Sequence, residues 1–309
     1  MFETTPPGFV SGFVSLLGRP NTGKSTLLNA LLGAKLAIVS QKPQTTRALI
    51  QGVLTLPQAQ IVFLDTPGIH QAGSLFNRHM MENVRAALVE RDLLVYVADA
   101  LLPVRDADRE AIGLLRHRRT PALLALNKID RLKDKALLLP AIEQYRALHD
   151  FADYLPISAL TGQGLDTLRA AILARLPEGP AYFPPDYITD QPERYLAAEL
   201  IRERVIRETR EEVPHAVAVL VDEFEETPRL TRISATIYVE REGQKGIVIG
   251  AKGLLLKKIG TLARQEIESL LARKVFLELF VKVRPHWRES REFLAMLDWR
   301  SMVGKELRE

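Results

Sequence analysis

Residues 18–26 read Gly-Arg-Pro-Asn-Thr-Gly-Lys-Ser-Thr, "GRPNTGKST". The stretch fits G-x-x-x-x-G-K-[ST], and its flanks turn a pattern into a prediction of fold. Phe13–Leu17 before it is apolar and reads as a strand; Lys24–Leu32 after it reads as a helix. A glycine loop in that context is a phosphate cradle. Gly18 and Gly23 let backbone N–H groups curl around phosphate oxygens with no Cβ in the way. The helix that begins near Lys24 aims its positive end at the same oxygens. Lys24 is placed to neutralise the outer phosphates and Ser25 to offer a hydroxyl to Mg²⁺. Asn21, Thr22 and Thr26 complete the loop's expected contacts. The alternative, a chance glycine turn, does not account for the strand before and the helix after.

Outward from the loop, short apolar runs alternate with longer amphipathic ones as far as about Leu176. Further strands are predicted at Ala48–Leu54, Gln60–Leu64, Asp92–Ala98, Ala122–Leu126 and Tyr154–Ile157. Helices are predicted at Leu75–Val89, Ala107–Arg118, Asp134–Leu148 and Leu165–Arg175. Such alternation implies a doubly wound, mostly parallel sheet with helices on both faces. Then "LPEGPAYFPPDYITDQP" packs five prolines into a short span, the composition of a stiff linker. The predicted domains are therefore 1–178, a linker at 179–190, and 191–309. The last part reads helix, strand, strand, helix, strand, helix, a smaller α+β domain. The 309 residues suffice for two cores. There is no cysteine, hence no disulfide. The first residues make a poor signal peptide and no apolar run is long enough to span a bilayer, so a cytoplasmic, soluble protein is expected; it is also expected to be a monomer.

Four more segments complete the nucleotide site. "NKID", Asn127–Asp130, ends an apolar strand, where open α/β sheets bind ligands. The Asp130 carboxylate can accept both N1–H and N2–H of guanine, and adenine would leave it unpaired. A polar site of that kind discriminates by roughly 10⁴-fold or more. Asn127 and Lys128 lie beside it; the other reading of the segment is a helix cap before Lys133. Ser158 and Ala159 follow the last strand, and the Ala159 N–H could read guanine O6. "DTPG", Asp65–Gly68, offers a carboxylate to Mg²⁺ and a Gly68 N–H to the γ-phosphate. In "QTTR", Gln44–Arg47, a threonine must reach the metal, and Thr46 is preferred to Thr45. Lys24, Thr46, Asp65 and Gly68 are thus the expected catalytic residues, with Ser25, Thr46 and Asp65 holding the metal. Ile69 cannot hydrogen-bond a water, so the attacking water needs another guide: backbone, a partner, or a potassium ion with Asn21 as one oxygen ligand. Asn21 could equally stabilise the turn, and His70 could position the water or sit solvated in its loop.

A second glycine loop, "GIVIGAKGL" at 246–254, stands far from the first. G-x-x-G opening a helix lets backbone approach sugar and phosphate. Gly250, Ala251, Lys252 and Gly253 form the loop, with Lys257 and Lys258 on the helix behind it. Residues 243–288 hold ten basic and three acidic side chains, whereas 191–309 as a whole hold 22 and 20. Charge concentrated on one element is the footprint of a nucleic-acid face. The alternative is a tight turn between helices with a solvated basic face. No zinc-ligand spacing and no nucleophile–base pair suggests a further chemistry on RNA or a metabolite.

The phosphate loop and the four segments that complete its site, five in order, resemble the translation-factor-like GTPase superfamily, and the C-terminal order resembles the type II KH topology. Together "GRPN", "KPQTTR", "DTPGIH", "NKID", "YVEREGQKGIVIGAKGLLLKKIGTLARQEIE" and "LFVKVRPHWRES" resemble the Era family of GTPases over essentially the whole chain. The resemblance implies a bacterial cytoplasmic GTPase that binds GTP or GDP with Mg²⁺. It further implies binding of small-subunit ribosomal RNA near its 3′ end, assistance in maturing the small ribosomal subunit, and some contact with the inner membrane surface. Thr22 departs from the usual valine, and "HQAGSLFNRH" departs from the usual continuation of its loop.

Overall fold

A computed structural model describes residues 6–40, 42, 45–69, 75–89, 91–115 and 119–300. They divide into two compact units. The first takes the described parts of 1–37, 46–72 and 79–190. The second takes those of 38–45, 73–78 and 191–309.

The first unit is built on strands β1 (Val10–Leu17), β2 (Ile50–Leu56), β3 (Ala59–Asp65), β4 (Leu93–Asp99), β5 (Ala122–Asn127) and β6 (Asp153–Pro156). Their order in the sheet is β2-β3-β1-β4-β5-β6, parallel except for the β2–β3 hairpin. β3, β4 and β5 are buried along their full lengths, as strands covered on both faces must be. Around the sheet lie α1 (Lys24–Leu32), α2 (Leu75–Ala86), α3 (Asp106–Gly113), α4 (Leu138–Arg146) and α5 (Leu165–Leu173); α2 belongs to this unit from residue 79 onward, and its first residues belong to the second. The helix predicted from Asp134 begins instead as a 3₁₀ turn at Lys135–Leu137, capped by the Asp134 side chain on Ala136 N–H (2.9 Å). Pro140 then falls in the first turn of α4, where its missing N–H costs nothing.

The proline-rich stretch is not a free linker. Residues 179–190 belong to the first unit. Gln60, fully buried, accepts the Tyr182 and Phe183 N–H groups (2.7 and 2.9 Å) and donates to Phe183 O (2.9 Å). Val53 N–H reaches Ile188 O (2.7 Å) and Thr189 Oγ1 reaches Gln51 O (2.7 Å). A chain without its own ladder satisfies its backbone groups on the open edge of β2, which it also protects.

The second unit orders α6 (Glu193–Glu208), α7 (Val213–Ala216), β7 (Ala218–Glu226), β8 (Thr231–Val239), α8 (Glu242–Ile249), α9 (Leu254–Leu271), β9 (Val275–Val283) and α10 (Arg291–Leu297). β7 pairs antiparallel with β8, and β8 parallel with β9. β7 starts only at Ala218, because 213–216 close a helical turn around Pro214. Ile259, Ala263 and Ile267 form the buried stripe of α9, at the four-residue spacing of a packed helix. They share a core with Ile201, Val205, Ile237 and Val248. Trp287 is fully buried and donates Nε1–H to Ala216 O (2.8 Å). Segment 38–45 is part of this unit. Ile38 joins its core, Val39 N–H donates to Glu203 of α6 (3.2 Å), and Arg202 donates to Thr45 O. No helix among the described residues is long and apolar enough to cross a membrane.

Candidate functional site

In the first unit the residues named from sequence converge at the C-terminal ends of β1, β3 and β5. Gly23 has φ 97°, a conformation glycine adopts freely, and a Cβ there would lie 2.3 Å from Asn127 Nδ2. That approach lets Asn127 Nδ2 donate to Thr22 O (2.8 Å), so the end of β5 holds the phosphate loop. Lys24 is buried, its ammonium donating to Gly18 O (3.1 Å) and Arg19 O (2.9 Å). Burial pulls it down to about 8, against the pull of the Asp65 charge. Thr26 sits half-buried in the first turn of α1.

Ser25 Oγ lies 2.7 Å from Thr46 Oγ1 and donates to Asp65 Oδ2 (2.6 Å). Three hard oxygens at one point are a ligand set for Mg²⁺ rather than for a softer metal. Asp65 is fully buried, and burial pushes its carboxyl up to about 6, although Lys24, Ser25 and Thr46 oppose the rise. Its Oδ1 is buried without a hydrogen-bond partner. A carboxylate oxygen left unmatched in a buried site is costly and is suited to a cation or its water. The residues therefore fit the metal. Thr45, the residue not preferred, bonds Ser40 Oγ (2.6 Å) and Lys42 O (2.7 Å) instead. Ile69 is buried in the first unit's core, so its side chain faces away from any water. His70 and Gln44 lie outside the described residues.

The base end is equally built. Asn127 Oδ1 accepts N–H from Lys128 (2.8 Å) and Ala159 (2.9 Å). The Ala159 N–H assigned to guanine O6 is thus already engaged, and reading O6 would require it to be shared. Ser158, fully buried, donates Oγ–H to Asp130 Oδ1 (2.6 Å), which orients an otherwise exposed carboxylate. Lys128 takes a left-handed φ of 71° and spans from Asn21 O (2.6 Å) to Asp99 Oδ2 (2.6 Å). Asp99 escaped the sequence reading. The available signal was its place at the C-terminal end of β4, in register with Asn127.

In the second unit the run "IVI" is the end of α8. Gly250 (φ 71°, ψ 178°), Lys252 (φ 51°) and Gly253 (φ 78°) turn the chain sharply into α9. A Cβ on Gly250 would lie 2.6 Å from Leu255 Cβ, so that position requires glycine. Ala251, Lys252 and Lys257 are exposed on the loop and first turn. Val248 is core, whereas Ile247 (45%) and Leu254 (67%) are exposed beside the loop. The basic cluster is less bare than its count. Lys258 pairs with Glu208 (2.5 Å), Arg264 with Glu268 (2.9 Å), Arg273 with Glu226 (2.9 Å), and Arg288 with Glu240. Lys252 and Lys257 form no ion pair among the described residues and are the cations left at the loop.

A phosphate loop, a buried metal-ligand set and a carboxylate placed for guanine define a P-loop GTPase domain. The helix–GAKG–helix element on a three-stranded sheet defines a KH module. Residues 13–128 match the family model described as 50S ribosome-binding GTPase, and residues 212–288 that of the KH domain. GTPase Era of Geobacter metallireducens is 52% identical over 94% of this chain and 98% of its own. GTPase Era of Syntrophus aciditrophicus is 50% identical over 93% and 94%. A crystal structure of Era with MgGDPNP and nucleotides 1506–1542 of 16S ribosomal RNA superposes with a TM-score of 0.92. It is 42% identical and covers 94% of this chain and 99% of that one. The chain belongs to the Era family of GTPases.

Proposed function

We propose that this GTPase is a nucleotide-driven switch that binds small-subunit ribosomal RNA near its 3′ end through the KH loop and assists maturation of that subunit. The observation that carries the reading is the likeness, over nearly the full length of both chains, to an Era structure holding nucleotides 1506–1542 of 16S RNA. The GTPase family model covers only residues 13–128. Its 50S description therefore says nothing about an RNA contact made by the KH unit.

In the nucleotide site, Asp130 with Ser158 reads guanine, and Asn127 ties that pocket to the phosphate loop. Lys24 neutralises the β- and γ-phosphates, and the Gly68 N–H bonds the γ-phosphate. Ser25, Thr46 and Asp65 hold Mg²⁺, which supplies charge stabilisation as phosphoryl transfer proceeds. Thr46 and the Asp65–Gly68 turn are ordered by the triphosphate and released after hydrolysis. Thr45 and Thr46 are consecutive, one bonded by Arg202 of α6 and the other by Ser25. By linkage, RNA and GTP alter each other's affinity by one factor.

At the KH loop, exposed Lys252 and Lys257 attract the RNA backbone, while Ile247 and Leu254 offer apolar surface to unpaired bases. Gly253→Asp tests the reading. A Cβ there meets no atom within 4 Å, so the fold is spared beyond the ~1 kcal/mol of a left-handed non-glycine residue. Affinity for a single-stranded RNA copy of the 16S 3′ end is expected to fall on the order of 100-fold, with GTP turnover nearly unchanged. Undiminished RNA affinity would make the loop structural. Equal salt-dependent binding to anionic vesicles and RNA would assign the basic face to a membrane surface.

A further inference from the structure

The side chain of the second residue of the phosphate loop has no part in the site described so far. The Arg19 side chain is 7% exposed and turns inward, Nε 2.8 Å from Asp108 Oδ1. Asp108 is fully buried near the start of α3. The same Oδ1 accepts Tyr96 OH of β4 (2.8 Å) and Tyr145 OH of α4 (3.3 Å), and Oδ2 accepts Arg105 N–H (2.9 Å). Burial first, and then the Asp108 charge, push both phenols above their ordinary range, so they remain donors. One carboxylate thus joins three elements of the core to the phosphate loop.

The main chain at Arg19 faces the opposite way. Its carbonyl accepts the Lys24 ammonium (2.9 Å) and Thr22 Oγ1 (3.1 Å). The next residue, Pro20, packs so closely on Gly68 that a Cβ on Gly68 would lie 2.7 Å from Pro20 Cα. Ile69 N–H donates to Gly18 O (3.4 Å). Lys24 and the Asp65–Gly68 turn, the two elements assigned to the γ-phosphate, therefore both rest on the Gly18–Pro20 backbone.

We propose that Arg19 is a positioning residue for the γ-phosphate end of the site. Its ion pair with Asp108 fixes the peptide on which the Lys24 ammonium and the Gly68 N–H are set. The competing account is an ion pair that only stabilises the fold. Arg19 Nε and Nη2 are both buried without a hydrogen-bond partner, so the contact with Asp108 is an ion pair by distance alone, which makes it a poor stabiliser for its desolvation cost and favours a geometric role. The inference rests on the nucleotide reading above.

The test uses the full chain with Arg19→Met, Arg19→Lys and Asp108→Asn. Dissociation constants are measured for a non-hydrolysable GTP analogue, GDP and inosine diphosphate, together with single-turnover hydrolysis and thermal melting. Arg19→Met is expected to weaken the GTP analogue by roughly 100-fold, the effect of about 1 Å of misplacement, and GDP clearly less. The preference for GDP over inosine diphosphate, which lacks the N2 amino group, stays at the wild-type ratio because Asp130 is untouched. Asp108→Asn follows Arg19→Met in direction although it lies outside the loop. Arg19→Lys regains most of the loss, since its ammonium still reaches Asp108. Melting points that fall while the ratio of GTP-analogue to GDP affinity keeps its wild-type value would overturn the proposal, as would equal losses for both nucleotides. If the wild-type protein itself fails to prefer GDP over inosine diphosphate, the nucleotide reading fails rather than this inference.

Discussion

Replacing Asp65 with asparagine is expected to make the protein more stable at neutral pH while removing the carboxylate proposed to hold Mg²⁺. Asp65 is fully buried and its carboxyl stands at about 6 against an ordinary 3.8. At 1.36 kcal/mol per pH unit, ionising it in the fold costs on the order of 3 kcal/mol, even with Lys24 nearby. The folded value lies above the unfolded one, so the cost is fully present above pH 6. It shrinks as pH falls through that value and is gone below about 3.8. Lys24, at about 8, stays charged throughout this window. Asparagine has nearly the same shape, can still accept Ser25 Oγ–H, and carries no charge. Without Mg²⁺ and nucleotide, Asp65→Asn should gain about 1–3 kcal/mol at pH 7.5 and nothing at pH 4. Adding Mg²⁺ and a GTP analogue should stabilise the wild type and not the variant. Both tryptophans, Trp287 and Trp299, lie in the second unit, so their fluorescence serves as an internal control. Amide exchange of β1 and β3 reports the first unit. Equal β3 protection in the two proteins at pH 7.5, or a gain that persists at pH 4, would refute the argument.

Other perturbations follow from the same geometry. Gly23→Ala places a methyl group 2.3 Å from Asn127 Nδ2 and should lower guanine-nucleotide affinity by roughly 100-fold or more, read by equilibrium dialysis. Turnover should be faster in potassium than in sodium buffer, with Asn21→Ala erasing the difference; equal wild-type rates would remove the potassium ion from the site. Arg202→Met removes a buried side chain that pairs with Glu199 and bonds Thr45 O. The factor by which a GTP analogue changes RNA affinity, ordinarily worth about 1–3 kcal/mol, should then move toward one while each ligand still binds alone.

What was legible from sequence is what local periodicity and turn chemistry encode. "GRPNTGKST" and "NKID" each sit at a strand end, and that address alone brings Lys24, Asn127 and Asp130 together. What was not legible depends on side chains meeting across the fold. The proline-rich span has a linker's composition, yet it is docked by hydrogen bonds to β2 and to the buried Gln60, and Gln60 carries no mark in the sequence. The basic cluster at 243–288 overstated the free charge because partners such as Glu208 and Glu240 fall outside that window. Arg19 and Asp108 are separated by 89 positions, and no spacing rule links them.

The two glycine loops solve opposite problems, and their burial explains why. In the first, Lys24 and Asp65 are held out of water at a cost visible in both displaced titrations. Such a site gains from having its charges fixed before the ligand arrives, because preorganised groups need not reorient as charge develops. In the second, Lys252 and Lys257 remain solvated, and an exposed cation gives attraction that salt screens and no fixed geometry. Shape must then come from the backbone, and three positive φ angles within four residues supply it. The first loop should therefore respond to small displacements of its supports and the second chiefly to charge and ionic strength.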